Sequence, residues 1–378
     1  MKIGIVTFWW SNDNYGQLLQ CYALQKYLRN LGNEVFLIRY KYPGDVKKNP
    51  FWIQCLKIFN PFFVVRYLLH KINVAYVKNE QSINNRHFND FRSKYIVQSK
   101  KNYPSYSDLK NTPPDADVYI VGSDQVWNYW HVKPKLFVNQ THVYFLDFGN
   151  PDIKRLSYAA SWGVTKLPKS YKNYVSKMLQ RFDYISVREE SGLDLCRQCG
   201  RDDAEWVCDP TLLLNAEVYR SIYKENEIRR CEKKYILLYM LSNECNFNIQ
   251  NVYDFAASKG LEVVYVTGNG VMNKRSKFYA TIPEWLYLID NAEYVITNSF
   301  HCAIFSTIFN KQFGIVKLKG KISSMNIRFD SLFELCGTGN RYLSDSDFSV
   351  LNKAYKVKPV KPSENFLKVL SSDKRIFF

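Results

Sequence analysis

Within the first 40 residues the chain writes a strand, a helix and a second strand, and this triplet constrains the fold more than any other feature. "KIGIVTF" is an apolar run of strand length, followed by the polar loop "WSNDNYG". In "QLLQCYALQKYLRNLG" the residues Leu18, Leu19, Tyr22, Leu24, Leu28 and Leu31 recur at near-helical spacing. Gly32 stands where a helix is closed by a C′ glycine. "EVFLIRY" is the next strand. A strand, a helix and a strand joined in this way need a crossover connection, so the two strands lie parallel.

The alternation continues along the chain. "ADVYIVGSDQVWN", "RLSYAASWG", "YKNYVSKMLQRF", "YISVREESGLDLCRQCG" and "AEWVCDPTLLL" complete a first half. From about residue 230 a second series begins with "KYILLYML", "NIQNVYDFAASKG" and "LEVVYVTG". It goes on through "IPEWLYLIDNA", with Pro283 at the N1 position, then "EYVITN", "FHCAIFSTIFN", "QFGIVKL" and "NIRFDSLFELCG", which ends at Gly337. The pattern predicts an α/β chain of two Rossmann-like domains. The expected limits are 1–225, interrupted by a basic, aromatic helical insert at about 45–110, then 226–350, then a tail and helix over 351–378. A length of 378 residues suits two such domains better than one core.

Composition narrows the function classes. Hydrophobic residues make up 46%, which supports packed cores over disorder. "MKIGIVTFWW" carries one lysine, a short apolar run and no small-residue cleavage site, so it reads as a first strand rather than a secretion signal. No stretch reaches the roughly 18 uncharged apolar residues needed to cross a bilayer. Nine cysteines, an odd number, fit reduced thiols in the cytoplasm. Cys196 and Cys199 form the one CxxC pair, without the second pair a zinc site needs.

The net charge of +17 implies an acidic partner. Between Pro50 and Lys101 stand Lys57, Arg66, Lys71, Lys78, Arg86, Arg92, Lys94, Lys100 and Lys101, against Glu80 and Asp90 alone. The same segment contains "FWIQCLKIFNPFFVVRYLLHKI", aromatics among cations, as suits a helix on an anionic membrane surface. The alternative is a helix whose apolar face packs on its own domain. No nucleic-acid motif accompanies the charge, so no nucleic-acid partner is expected.

In open parallel sheets ligands bind beyond the carboxyl ends of the strands. The polar loops at those ends are Ser11 to Gly16, Gly122 to Asn128, Ser161 to Gly163, Arg188 to Ser191 and Asn298 to His301. No GxxxxGK[ST], GxGxxG after a strand, HExxH or GxSxG occurs; "TGNG" at 267–270 is too short to count. Each loop also has a plain structural reading. Asp13 and Asn14 can cap the first helix, and Gly122 and Gly163 can serve turns. Asp124 can bond its own backbone, and Arg188, Glu189 and Glu190 can form a solvated charge cluster. His301, at a helix start, can exchange protons beside an anion near neutral pH, or can be a hydrogen-bonded core residue.

The segments "NYGQLLQCYALQKYLRNLG", "VGSDQVWN", "SYAASWG", "SVREESG", "CDPTLLL", "ITNSFHCAIFSTIFNKQF" and "RFDSLFELCGTGNR" resemble the polysaccharide pyruvyl transferase family, over roughly residues 1 to 345. The resemblance implies a GT-B-like arrangement of the two domains around a central cleft. It implies transfer of a pyruvyl group from phosphoenolpyruvate to a sugar of a surface-polysaccharide or capsule precursor, forming a ketal, with no metal or resident cofactor. His301 corresponds to the family histidine and is expected to be catalytic. Arg188 corresponds to a family arginine and is expected to bind the donor, with Asn298 and Ser299 beside it. Ketal-forming members carry an arginine at the position of Ser299, so Lys317, Lys319 and Arg328 are candidates to supply the cation. The acceptor side falls to Asn14, Tyr15, Gly16, Ser123, Asp124, Gln125, Trp127 and Asn128. A lipid-linked oligosaccharide acceptor and a peripheral place at the inner face of the membrane would account for the basic insert. A glycosyltransferase using a nucleotide sugar, or a non-catalytic protein binding anionic glycans or lipids, are the alternatives.

Overall fold

The computed structural model describes residues 1–41, 61–129, 137–268, 271, 273 and 275–372. Its strands are β1 (Lys2–Val6), β2 (Glu34–Tyr40), β3 (Gln98–Tyr103), β4 (Val118–Val121), β5 (Lys154–Ser157), β6 (Ser186–Val187), β7 (Glu205–Trp206), β8 (Tyr235–Met240), β9 (Glu262–Thr267), β10 (Tyr294–Thr297) and β11 (Phe313–Ile315). The helices of the first half are α1 (Tyr15–Asn30), α2 (Pro61–Ile83), α3 (Phe88–Tyr95), α4 (Tyr106–Asn111), α5 (Phe137–Tyr144), α6 (Lys169–Leu179), α7 (Ser191–Gln198) and α8 (Ala216–Lys224). Those of the second half are α9 (Gln250–Ser258), α10 (Ile282–Asn291), α11 (Phe300–Ile308), α12 (Ile327–Cys336) and α13 (Glu364–Ser371).

The strands build one sheet in the order β3-β2-β1-β4-β5, a second in the order β11-β10-β8-β9, and a short pair β6-β7. All these pairings are parallel. Single bridges from Leu156 to Tyr184 and from Ala160 to Val187 continue the first sheet toward β6. The central strands are apolar without alternation, as strands covered on both faces must be: β4 and β8 are buried at every residue.

The first crossover follows the sequence reading closely. α1 is capped at Leu31, and Gly32 takes the left-handed conformation at φ 84° that closes it. The helix is buried nearly all round because it packs two ways. Leu24 and Leu28 meet Ile3 and Ile5 of the first sheet. Tyr15, Leu18, Leu19 and Tyr22 join Trp285, Phe305 and Tyr219 in the cluster that fastens the two halves together. Leu31, expected on the apolar stripe, is exposed.

Two expectations change. Within the expected insert the described residues form α2, α3 and the start of α4, but Gln98–Tyr103 between them is a strand that extends the sheet beside β2. "QSKKNY" lacks apolar alternation because it is an edge strand, where lysines discourage pairing with other chains. Residues 42–60, including Lys57, lie outside the described residues, as do the last two of "TGNG". Second, Thr281 caps α10 through a capping box with Glu284, so Pro283 falls one position later than N1. At the far end, Phe366 of α13 packs on Tyr158 and Tyr184, 4.9 and 5.6 Å between ring centres. Lys154 donates to the carbonyls of Val369 and Leu370 at the C-terminus of α13, where cations are favoured. The last helix therefore returns to the first sheet.

Candidate active site

The site forms where the loops after β1, β4, β5, β6, β7 and β10 meet. Asp209 is its centre. It follows β7 and caps the 3-10 turn Pro210–Leu213, with Oδ1 accepting from Thr211 N at 3.0 Å and Thr211 Oγ1 at 2.7 Å. Oδ2 accepts from Ser123 Oγ at 2.8 Å and from Arg188 Nη1 at 3.0 Å. Nε2 of His301 stands 3.5 Å from the same oxygen, at the limit of hydrogen-bond reach and without a closer partner. Burial opposes the charge of Asp209, yet His301, Arg188 and the Thr211 N–H outweigh it and hold the carboxyl far below the ordinary carboxylate range.

His301 reaches this carboxylate from the second half of the chain. Ser299 caps α11 through Cys302 N, which places His301 in the first turn. The imidazole then lies against the first turn of α1: a Cβ on Gly16 would fall 2.1 Å from His301 Cγ. Only glycine leaves room for that ring.

Arg188 is spent on one side only. Nη1 is taken by Asp209 and Ser123, while Nε and Nη2 are buried with no partner among the described residues. Nε and Nη2 form one edge of the guanidinium fork, the geometry that takes an oxyanion with two parallel hydrogen bonds. Its face covers Phe300 at 4.6 Å, and Arg328 covers the same ring at 5.4 Å. Burial, and then the neighbouring Arg188, lowers Arg328 to about 10 against the pull of Glu189, Asp124 and Asp209.

Glu189 is not part of a solvated cluster, although Glu190 is exposed. Glu189 is fully buried, and its Oε1 accepts from Ser161 Oγ, Trp162 N and Gly163 N at 3.0, 2.7 and 2.9 Å. Its Oε2 is buried without a hydrogen-bond partner among the described residues. This carboxylate gathers the Ser161–Gly163 loop. Gly163, at φ 61°, lets Gln125 and Asn128 approach to within 2.4 and 2.6 Å of where a Cβ would be. Asn128 Nδ2 donates to Gln125 Oε1 at 2.7 Å. Asp124 is held at φ 81° and accepts from Gln125 N at 2.8 Å, so the local backbone bond is the one it makes.

The residues selected from sequence thus separate. Ser123, Arg188, His301, Gly16 and Arg328 converge, with Asp124, Gln125 and Asn128 beside them, and Asn14 is half-buried at the start of α1 with its side chain not used for capping. Tyr15 and Trp127 are buried with their polar atoms engaged inside the protein. Tyr15 stacks on Trp285 at 4.9 Å and donates to the Ala280 carbonyl, and Trp127 is fully buried and donates to the Tyr144 carbonyl. Asn298 ties two loops, accepting from Leu241 N and donating to the Ser242 carbonyl, and Ser299 is occupied as a cap. Lys317 and Lys319 are exposed, with Lys317 over Tyr342 at 4.3 Å. Cys196 and Cys199 are packed in the core of the first half, and burial pushes Cys196 up to about 12. Asp209 and Glu189 escape a reading of the sequence by role: one sits before a proline, the other inside a charge run.

A family model described as polysaccharide pyruvyl transferase matches residues 14–317. No sequence match was found among curated proteins. The fold is similar to that of a UDP-GlcNAc 2-epimerase from Methanocaldococcus jannaschii, with TM-score 0.51 and 12% identity over 98% of this chain and 99% of that one. The same epimerase in complex with UDP-GlcNAc and UDP gives TM-score 0.52 at 12% identity over the same shares. At that identity the likeness concerns the fold alone, which is α/β with two Rossmann-like domains in a GT-B-like arrangement around a central cleft.

Proposed function

Because this chain belongs to the polysaccharide pyruvyl transferase family and is a transferase, we propose that it moves the pyruvyl group of phosphoenolpyruvate onto a sugar of a surface-polysaccharide precursor as a ketal. The observation that carries the reading is the unspent edge of Arg188, with Arg328 sharing Phe300 and His301 held at Asp209 beside them. Phosphoenolpyruvate brings a phosphate and a carboxylate, and two buried guanidiniums suit two oxyanions.

In this scheme Arg188 and Arg328 bind the donor, and Arg328 supplies the cation that Ser299 cannot. A sugar hydroxyl adds to C2 of the enol phosphate, C3 gains a proton, inorganic phosphate leaves, and a second hydroxyl closes the ketal. Two hydroxyl protons are lost; one balances the proton gained at C3 and the other leaves with phosphate. With Nε2 held at Asp209, Nδ1 of His301 is the nitrogen assigned to these transfers. Asp209 orients the ring, and Ser123, Asp124, Gln125 and Asn128 are assigned to the acceptor. The scheme calls for no resident cofactor.

The test is phosphate release from phosphoenolpyruvate in the presence of lipid-linked and nucleotide-linked sugars, with the product read by mass spectrometry. The expected product is a pyruvylated sugar, and His301→Ala should lower its rate by about 10²–10⁴. Consumption of a nucleotide sugar with phosphoenolpyruvate untouched would replace this reading by a glycosyltransferase.

A lipid-linked acceptor and a place on the inner face of the membrane have support from α2. Val65, Leu68, Leu69, Ile72 and Tyr76 recur along one face of it and all are exposed, Ile72 by 63%. Lys71 sits over Tyr67 at 5.3 Å among them. No helix among the described residues is long and apolar enough to cross a membrane. The protein should therefore sediment with vesicles rich in phosphatidylglycerol and not with purely zwitterionic ones. Leu68→Glu with Ile72→Glu should abolish that binding, and sedimentation that ignores both changes would refute the assignment.

A further inference from the structure

The segment after α2 turns sharply inward. His87 adopts the left-handed conformation at φ 54°, with its N–H donating to Asn85 Oδ1 at 2.9 Å. This turn carries Arg86 into the boundary between the two halves, where it is 5% exposed. Its guanidinium lies 5.2 Å from the Tyr279 ring and 6.0 Å from the Tyr15 ring. Nη1 is buried and makes no hydrogen bond among the described residues. The Tyr15 hydroxyl donates to the Ala280 carbonyl at 2.8 Å, and its oxygen stands within reach of the guanidinium as a neutral acceptor. Among the described residues no carboxylate forms an ion pair with Arg86, unlike Arg188. A buried cation without a counter-charge is costly to the fold.

Arg86 borders a cavity of about 110 Å³, lined also by Asn12, Asn84, Asn85, Asn89 and Tyr279. Three of these asparagines are arranged to donate. Arg92 donates to Oδ1 of both Asn12 and Asn89, and Asn85 Oδ1 already accepts from His87. With the carbonyl ends of Asn12, Asn85 and Asn89 engaged, their Nδ2 ends remain for a ligand, whereas Asn84 Nδ2 donates to the Glu80 carbonyl at 3.2 Å. A guanidinium and several amide donors around a volume of this size match one phosphate or one carboxylate. The cavity and the Asp209 site flank the same turn of α1, since Tyr15 meets Arg86 and Gly16 meets His301.

We propose that this cavity is a second oxyanion site, which holds a phosphate or carboxylate carried by the acceptor while the donor occupies Arg188 and Arg328. That it belongs to the acceptor rests on the pyruvyl-transfer reading; that it binds an oxyanion does not.

The test is calorimetry on the full chain with inorganic phosphate, methyl phosphate and D-glucuronate, each with and without saturating phosphoenolpyruvate. One oxyanion should still bind when phosphoenolpyruvate saturates. Arg86→Gln should weaken that binding at least about tenfold, as loss of a charged hydrogen bond does, and Arg188→Gln should leave it intact. Binding of methyl phosphate alone identifies a phosphate as the group, and binding of glucuronate alone identifies a carboxylate. Asn85→Asp, at an exposed residue of the rim, should also weaken binding and serves if circular dichroism shows Arg86→Gln to be unfolded. The proposal is overturned if no probe binds beside phosphoenolpyruvate, if the Arg86 and Asn85 variants bind as wild type does, or if phosphoenolpyruvate itself displaces the probe from Arg86. Should phosphoenolpyruvate fail to bind at all, pyruvyl transfer falls, while binding of phosphate that depends on Arg86 would still stand.

Discussion

Two buried arginines flank the first turn of α1, and they are handled in opposite ways. Arg188 shares Asp209 with Ser123 and His301, so its charge is answered inside the protein before any ligand arrives. Arg86 has aromatic rings and amides around it and no carboxylate paired with it among the described residues. A paired buried cation can be part of the fold and keep only one edge for chemistry. An unpaired one is better explained by a ligand that completes it. Lys317 and Lys319 mark the third case: exposed cations whose charge water already answers.

Removing the answering carboxylate should have the largest effect on this contrast. Asp209→Asn leaves Arg188 buried and uncompensated, so stability at neutral pH should fall by about 3–5 kcal/mol, as when one partner of a buried pair is lost. Activity should be abolished, and any folded fraction should keep phosphate binding at Arg86. The pH dependence follows from the lowered carboxyl. Asp209 ionises in the unfolded chain near the ordinary value of about 3.9. Its contribution is therefore complete above that pH and is lost as pH falls toward the lower native value. Denaturant melts of wild type and variant should differ most above pH ~4 and approach each other below it; a constant gap would contradict the assigned role.

Gly16→Ala tests whether the two sites are separable. The added methyl cannot coexist with the His301 ring in its present place. A displacement of about 1 Å at a catalytic group is enough for a loss near 10² in kcat. Oxyanion binding at Arg86 should persist, and loss of both together would show the two sites to be one.

The smallest effect is expected for Arg328→Met. Burial and Arg188 disfavour the charge of Arg328 in the free protein. Methionine should therefore raise the Tm slightly while the KM for phosphoenolpyruvate rises about tenfold, the loss of a charged hydrogen bond. A lower Tm with unchanged KM would make Arg328 a structural residue.

Much of the fold was legible because its signals are local. The stripe of α1, the Gly32 and Gly337 closures and the strand "EVFLIRY" were all visible from period and end residues. The edge strand β3 was not, since it is polar throughout its middle, with Lys100 and Lys101 placed to keep the edge unpaired. In the site, His301 and Arg188 could be picked out because each follows a strand. Tyr15 and Trp127 could be picked out for the same reason, yet both are core, because the position of a loop does not say which way its side chains turn.

What the sequence determined by itself is therefore the succession of elements and the set of loops at the strand ends, since hydrophobic period and capping act over a few residues. What only the tertiary structure decided is which charges are answered. Ser123 and Asp209, 86 residues apart, meet because their strand ends converge, and His301 joins them from the other half of the chain. Glu189 and Glu190 are neighbours with the same charge, and one is buried against three donors while the other faces water. Pairing and burial are set by distance in space and by desolvation, and neither leaves a mark in the local order of residues.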